Sequence, residues 1–269
     1  MKKHLLLTAA LLSVFTLSVR ADKDFVLLEE GTTPVSISPG GQYVVGVNKN
    51  SFMGNISMES YMYDLSEGTT NWLTSKDETD LTKGGEFSGV ADDGTICGTS
   101  KDTGHLFEGT AINAAAVWTK DGRRTLLGYG DFDMTKIKNS NDGARATAIS
   151  ADGKTVAGEF RTSNGAYLTP CVWRQDDGGA WQMSWLPMPE GAKGGQTTAV
   201  SADGSVVAGY VRLADSSKFP ALWKDGECFV ITDEMLGLTD GSSSIDLSGM
   251  SPNGKFVTAT SQGGTAYLY

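Results

Sequence analysis

The chain has 269 residues, 39% hydrophobic and 20% charged, with 34 glycines, 6 tryptophans and a formal net charge of −10. That acidic balance makes nucleic acid a poor partner, because a polyanion is held through clustered Lys and Arg, and it disfavours anionic polysaccharides for the same reason. Abundant glycine without a sustained 3.6-residue apolar period excludes a helical bundle and points to an all-β chain rich in turns, long enough for one domain with a sizeable core.

Residues 1–21 read as an export signal: Lys2 and Lys3 precede an apolar run from Leu5 to Leu17, with small residues at Val19 and Ala21. Cleavage after Ala21 would remove three basic side chains and no acidic one, leaving 19 basic against 32 acidic. No cysteine follows the run to take a lipid, and no other stretch is long enough to cross a bilayer as a helix. The expected product is an exported monomer, periplasmic, secreted or at the cell surface, whose residues 22–269 form a single domain.

Five copies of one pattern then follow: SPGGQYVVG (Ser38 to Gly46), ADDGTICG (Ala91 to Gly98), SADGKTVAG (Ser150 to Gly158), SADGSVVAG (Ser201 to Gly209) and SPNGKFVTA (Ser251 to Ala259). Each reads as a strand, a tight turn and a returning strand. Gly41, Gly94, Gly153, Gly204 and Gly254 supply the positive φ of the turn, and the Ser and Asp side chains bond its backbone. The turn glycines lie 53, 59, 51 and 50 residues apart, a period that suits a four-stranded propeller blade better than a two-helix repeat.

A third strand ends in an aromatic, at Tyr63, Trp118, Trp173, Trp223 and Tyr269, residues suited to packing between neighbouring sheets. A fourth comes after a short polar turn: Asn71 to Thr74, Thr125 to Tyr129, Met183 to Pro187 and Cys228 to Thr232. The fifth repeat stops at its third strand, and Asp24 to Leu28 stands where the missing strand would be. The expected fold is therefore a five-bladed β-propeller of four-stranded antiparallel blades, its ring closed by the N-terminal strand completing the last blade, which removes exposed sheet edges.

SADGSVVAGY followed by FPALWKDG resembles extracellular HAF-type repeats. SPGGQYVVG followed by SYMYDLSEGTTNWLT is similar, more loosely, to TolB-type and WD-repeat propellers. The resemblance spans the whole mature chain and implies a fold without a reaction. Gly40, Ala91 and Ala259 depart from the pattern.

Cys97, Cys171 and Cys228 stand at packing positions within the repeats and form no zinc or CxxC motif. His105 is the sole histidine of the mature chain, so no polyhistidine metal site and no ready Ser-His-Asp triad exists. Asp131, Asp133 and Asp142 do not match an EF-hand, and neither a metal nor a cofactor is expected.

Function must lie in what varies between repeats. If the first strand of each blade is innermost, the long connections emerge on one face: Asn48 to Glu59, Ser75 to Gly85, Thr99 to Asn113, Gly130 to Ala144, Phe160 to Leu168 and Asp233 to Ser244. They carry Phe52, Met53, Asn55, His105, Phe107, Phe132, Arg161, Asn164 and Tyr167, aromatic and polar groups suited to a sugar or a protein surface. Eight residues before each turn glycine stand Thr33, Glu86, Arg145, Gln196 and Asp246, a polar ring at the mouth of a central channel. Two residues on stand Val35, Ser88, Thr147, Thr198 and Ser248, and then the small set Ser36, Gly89, Ala148, Ala199 and Gly249.

Two readings follow. The first is a non-catalytic binding module for a glycan or protein ligand, using Glu86, Arg145, Gln196 and Asp246 with the loop residues. The second is a carbohydrate-active hydrolase with Glu86 and Asp246 as paired carboxylates. No hydrolase motif accompanies the pair, which favours binding.

Overall fold

A computed structural model describes residues 28–48, 59–74, 84–162, 168–214, 217–232, 234–235, 245–261 and 266–268. The chain divides into two compact units, Met1–Glu30 and Gly31–Tyr269, and every strand below belongs to the second. Residues 1–21, expected to be an export signal, and Asp24 to Leu27 lie outside the described residues, as do Phe52, Met53, Asn55, Asn164, Tyr167 and Tyr269.

The fold is all-β with antiparallel sheets. In repeat 1, β1 (Thr32–Ile37), β2 (Tyr43–Asn48), β3 (Ser60–Asp64) and β4 (Thr69–Trp72) pair in sequence order. Repeat 2 pairs β5 (Glu86–Val90), β6 (Ile96–Phe107), β7 (Thr110–Trp118) and β8 (Arg124–Leu126) likewise. Repeat 3 consists of β9 (Gly143–Ile149), β10 (Thr155–Arg161), β11 (Thr169–Gln175) and β12 (Trp181–Trp185), and a single parallel pairing of Asn113 with Gly143 fuses it to repeat 2 in one sheet. Repeat 4 is β13 (Gly194–Val200), β14 (Val206–Arg212), β15 (Lys218–Lys224) and β16 (Glu227–Val230). Repeat 5 has three strands, β17 (Ile245–Met250), β18 (Val257–Ser261) and β19 (Ala266–Leu268). Among the described residues no strand pairing joins repeat 5 to repeat 1.

One expected loop is not a loop. Thr99 to Asn113 is an extension of the β6–β7 hairpin, closed by Glu108 and Gly109, both with positive φ, as in a two-residue turn whose twist matches the strands. A register shift between Asp102 and Leu106 pushes Thr103 to His105 out of the ladder.

The core lies between repeats. One buried cluster joins Val45 and Met62 of repeat 1 to Phe87, Ile96 and Trp118 of repeat 2. Another joins Cys97, Val117 and Leu127 to Ala146, Val156 and Trp173, and a third joins Ala157, Val172 and Leu186 to Val207, Val211 and Trp223. A fourth sets Ala208 and Ile231 against Leu247 and Val257. Trp118, Trp173 and Trp223 each cover a neighbour in this way, as expected from packed repeats. The Trp173 and Trp223 indoles also donate, at 2.7 Å each, to the Gly128 and Pro187 carbonyls that follow the preceding repeat's outer strand. Cys97 and Cys171 are buried in this core, where the loss of water pushes the Cys97 thiol up to about 12.

The turns carry the second set of links. In repeats 3, 4 and 5 the opening serine Oγ accepts the N–H five residues on, at 2.9–3.0 Å. In repeat 2, where Ala91 lacks the hydroxyl, the Ala91 N–H closes on Thr95 O, one residue tighter. The second turn residue then donates from repeat to repeat: Asp92 N to Ala151 O, Ala151 N to Ala202 O, and Ala202 N to Pro252 O. Pro39 and Pro252, which occupy this position in the first and last repeats, have no N–H to give. Repeat 1 instead bonds repeat 2 through Gly40 N to the Asp92 carboxylate, at 2.6 Å.

Candidate functional site

Every first strand carries a one-residue bulge. The register skips one residue in each, and the skipped residues are Val35, Ser88, Thr147, Thr198 and Ser248. In four repeats the hydroxyl of that residue donates to a carbonyl across the bulge: Ser88 to Cys97 O, Thr147 to Ala157 O, Thr198 to Ala208 O and Ser248 to Thr258 O, at 3.1–3.3 Å. Ser88 Oγ also reaches Ala146 O at 2.8 Å, and Thr147 and Thr197 hydroxyls meet at 2.6 Å, tying successive repeats together. Opposite each bulge the strands approach so closely that a Cβ at Gly98, Gly158 or Gly209 would stand 2.1, 2.1 or 1.9 Å from the carbonyl of Glu86, Arg145 or Gln196. Behind these bulges the last glycine of the pattern leaves no room for a side chain, whereas repeat 5 carries the same bulge with Ala259 at that position.

Four of the bulged residues, Val35, Ser88, Thr147 and Thr198, line two cavities. One, of about 260 Å³, lies towards the turns and is bounded by the small residues Ser36, Gly89, Ala148 and Ala199. The other, of about 380 Å³, lies at the opposite end of the strands and is bounded by Glu86, Arg145 and Gln196 of the expected mouth ring, with Thr99 and Glu159. The first strands of repeats 1 to 4 thus face a shared interior. Asp246 is not among the residues lining the mouth cavity; its carboxylate is ion-paired with Lys218 of repeat 4.

Glu159 is the residue that reading single positions missed. It stands opposite Arg145 in the β9–β10 ladder and is only 3% exposed. Burial pushes its carboxyl up to about 7, against the pull of Arg145, of Gln196 and of Arg161. Gln196 Nε2 donates to Glu159 Oε1 at 3.3 Å while Gln196 Oε1 accepts from the Tyr210 hydroxyl at 2.8 Å, and the Lys218 ammonium sits 3.9 Å from the Tyr210 ring centre. Burial, then the Glu159 charge, raises the Tyr210 phenol. Glu159 Oε2 and Arg145 Nε, both buried, have no hydrogen-bond partner. A sequence signal existed: Glu159 and Tyr210 each directly follow the last glycine of the pattern, the position that faces the mouth ring across the ladder.

A second cluster sits on the long-connection side between repeats 2 and 3. Asp102 accepts from the Tyr129 hydroxyl and contacts His105 Nδ1, both at 2.8 Å. Burial pushes the Asp102 carboxyl up, but these bonds and the Gly104 N–H outweigh it and hold the group below its ordinary range. His105 meets the Tyr129 ring edge-on at 5.4 Å, Phe132 stacks on Phe160 at 4.4 Å, and Trp185 closes the group while donating to Asp131 at 2.7 Å. His105 and Phe132 are brought together here, with the His105 side chain half exposed. Phe107 lies apart at the hairpin tip, and Arg161 at the exposed end of β10.

No protein-family model matches the chain, and no curated protein matches it. Solved structures do. TolB from Acinetobacter baumannii is similar over 88% of this chain and 53% of its own, at 18% identity and a TM-score of 0.52. The β-propeller domain of the Trilobed protease from Pyrococcus furiosus covers 89% of this chain and 67% of its own (10% identity, TM-score 0.51). The acylaminoacyl peptidase from Pyrococcus horikoshii covers 90% and 38% (12%, 0.52). At such identity the likeness establishes the fold, a TolB-like β-propeller, and the chain spans about half the length of the TolB structure. No helix of the described residues is long and apolar enough to cross a membrane.

Proposed function

We propose that the chain is an exported, non-catalytic binding propeller of five blades, closed by Asp24 to Leu28, that recognises a glycan or protein ligand through the face where the long connections emerge. The observation that carries this is the mouth cavity, lined by the bulged first strands and by Arg145 and Glu159, each of which holds a buried polar atom without a partner. The aromatic cluster of His105, Tyr129, Phe132 and Trp185 on the same side adds a rim suited to sugar or side-chain stacking. Export rests on residues 1–21, and the HAF-type and WD-repeat resemblances rest on the sequence alone.

The test presents the protein from Asp22 onward to immobilised oligosaccharides and to candidate protein partners, scoring retention and cleavage. Retention without cleavage is expected. A hydrolase is the second reading, favoured by two carboxylates, Glu86 and Glu159, lining one cavity with Glu159 poised near neutrality. Cleavage abolished by Glu86→Gln together with Asp246→Asn, or by Glu159→Gln, would establish it.

A further inference from the structure

Arg145 and Glu159 line the mouth cavity, and each holds a buried polar atom without a partner, one a donor and the other an acceptor. Arg145 and Glu159 face each other directly across the β9–β10 ladder, so their side chains share one face of the sheet. Arg145 Nε and Glu159 Oε2 are both buried and unpaired, although Glu159 Oε1 is already held by Gln196. A buried guanidinium N–H and a buried carboxylate oxygen left open are costly, and each is relieved by a hydrogen bond.

The chemistry of the lining selects what could supply it. A carboxylate or phosphate would satisfy Arg145 but meet Glu86 and Glu159. An amine would satisfy the carboxylates but stand beside Arg145, with Arg161 also acting on Glu159. A hydroxyl is the smallest group that donates and accepts through one atom, and it adds no net charge. Apart from the Gln196 amide, the remaining polar lining, Ser88, Thr99, Thr147, Thr197 and Thr198, is hydroxylic, and at about 380 Å³ the cavity falls at the small end of ligand sites.

We propose that the mouth cavity is a saccharide subsite, in which one hydroxyl of a neutral sugar donates to Glu159 Oε2 and accepts from Arg145 Nε. The inference rests on the binding reading above and names its ligand class. Gln196 and Tyr210 then act as positioning residues, their relay orienting the Glu159 carboxyl. Because the sugar hydroxyl donates to the carboxylate form, binding draws Glu159 towards ionisation. Arg145, Arg161, Cys171 and Tyr210 are the other titratable groups acting on or feeling this carboxyl from the strands around it.

The experiment titrates neutral mono- and disaccharides into the protein from Asp22 onward by calorimetry, in buffers of different ionisation enthalpy, between pH 5.5 and 8. Tighter binding as the pH rises is expected, with release of on the order of half a proton per site at pH 7. Glu159→Gln and Arg145→Met are expected to weaken binding by about tenfold to a hundredfold, and Glu159→Gln to abolish the proton release. A sugar bound equally well by these variants would overturn the subsite while leaving a binding face intact. Absence of any sugar binding would overturn it too; retention of a protein partner would then keep the wider reading, and silence with both probes would end it. The proton count is read on the unaltered protein, so a variant that fails to fold does not shield the proposal.

Discussion

The two ends of the first strands are built on opposite principles. At the turn end, the serine and aspartate side chains are spent on their own backbone: Ser201 accepts Val206 N and donates to Asp203, and that bond, with those from Ser205, pulls the Asp203 carboxyl down to about 2. The backbone N–H groups freed there bind the next repeat. At the mouth end, four bulges are capped by hydroxyls, yet Glu159 Oε2 and Arg145 Nε stay unpaired beside a cavity. The repeated residues are thus self-satisfied and structural, whereas the residues that differ between repeats carry the unmet hydrogen-bonding capacity. A binding role belongs to the second end.

That contrast can be broken first at its hinge, the close approach behind the bulge. Gly158→Ala places a Cβ 2.1 Å from Arg145 O and 2.6 Å from the Trp173 ring, and is expected to cost about 3 kcal/mol or more. Gly128→Ala, which meets nothing within 4 Å, should stay within about 0.5 kcal/mol in the same thermal and denaturant melts. Equal losses would remove the bulge from the account.

Next in size is the pH dependence imposed by Glu159. Its carboxyl is raised from 4.5 to about 7 in the folded chain, so the fold binds a proton that the unfolded chain has released. The associated stability is complete below about pH 4.5 and is lost as the pH rises through 7, amounting to up to about 3 kcal/mol. Unfolding free energies measured from pH 5 to 8 should fall with that slope, and Glu159→Gln should flatten it. An unchanged slope in the variant would mean that another group titrates.

At the turn end, Ser201→Ala should cost about 1–2 kcal/mol, since it strips the partner from the buried Val206 N–H. It should leave sugar binding untouched. A smaller loss is expected from Thr198→Val, which removes only the bond to Ala208 O, about 1 kcal/mol by chemical denaturation. A larger loss in ligand affinity than in stability there would move Thr198 from scaffold to site.

Much of the architecture was legible. The S-x-D-G turns, the order of strands and the aromatic packing between repeats all follow from bonds reaching no further than a few residues, or from a spacing that recurs. The Thr99 to Asn113 segment was misread because its turn is Glu108-Gly109, without the Asn or Asp that marks the commoner two-residue turns. Counting placed Glu86, Arg145 and Gln196 beside one cavity, but not Glu159 or the balance of charge there. Glu159 belongs to the adjacent strand, and the Lys218 that occupies Asp246 comes from another repeat.

By itself, then, the sequence determined a chain of repeated antiparallel hairpins with acidic, self-capped turns, because glycine φ and side-chain-to-backbone bonds act locally. Tertiary structure alone decided which polar groups face water and which face a cavity. The burial that lifts Glu159, and the register that sets it against Arg145, arise when strands far apart in sequence are brought side by side.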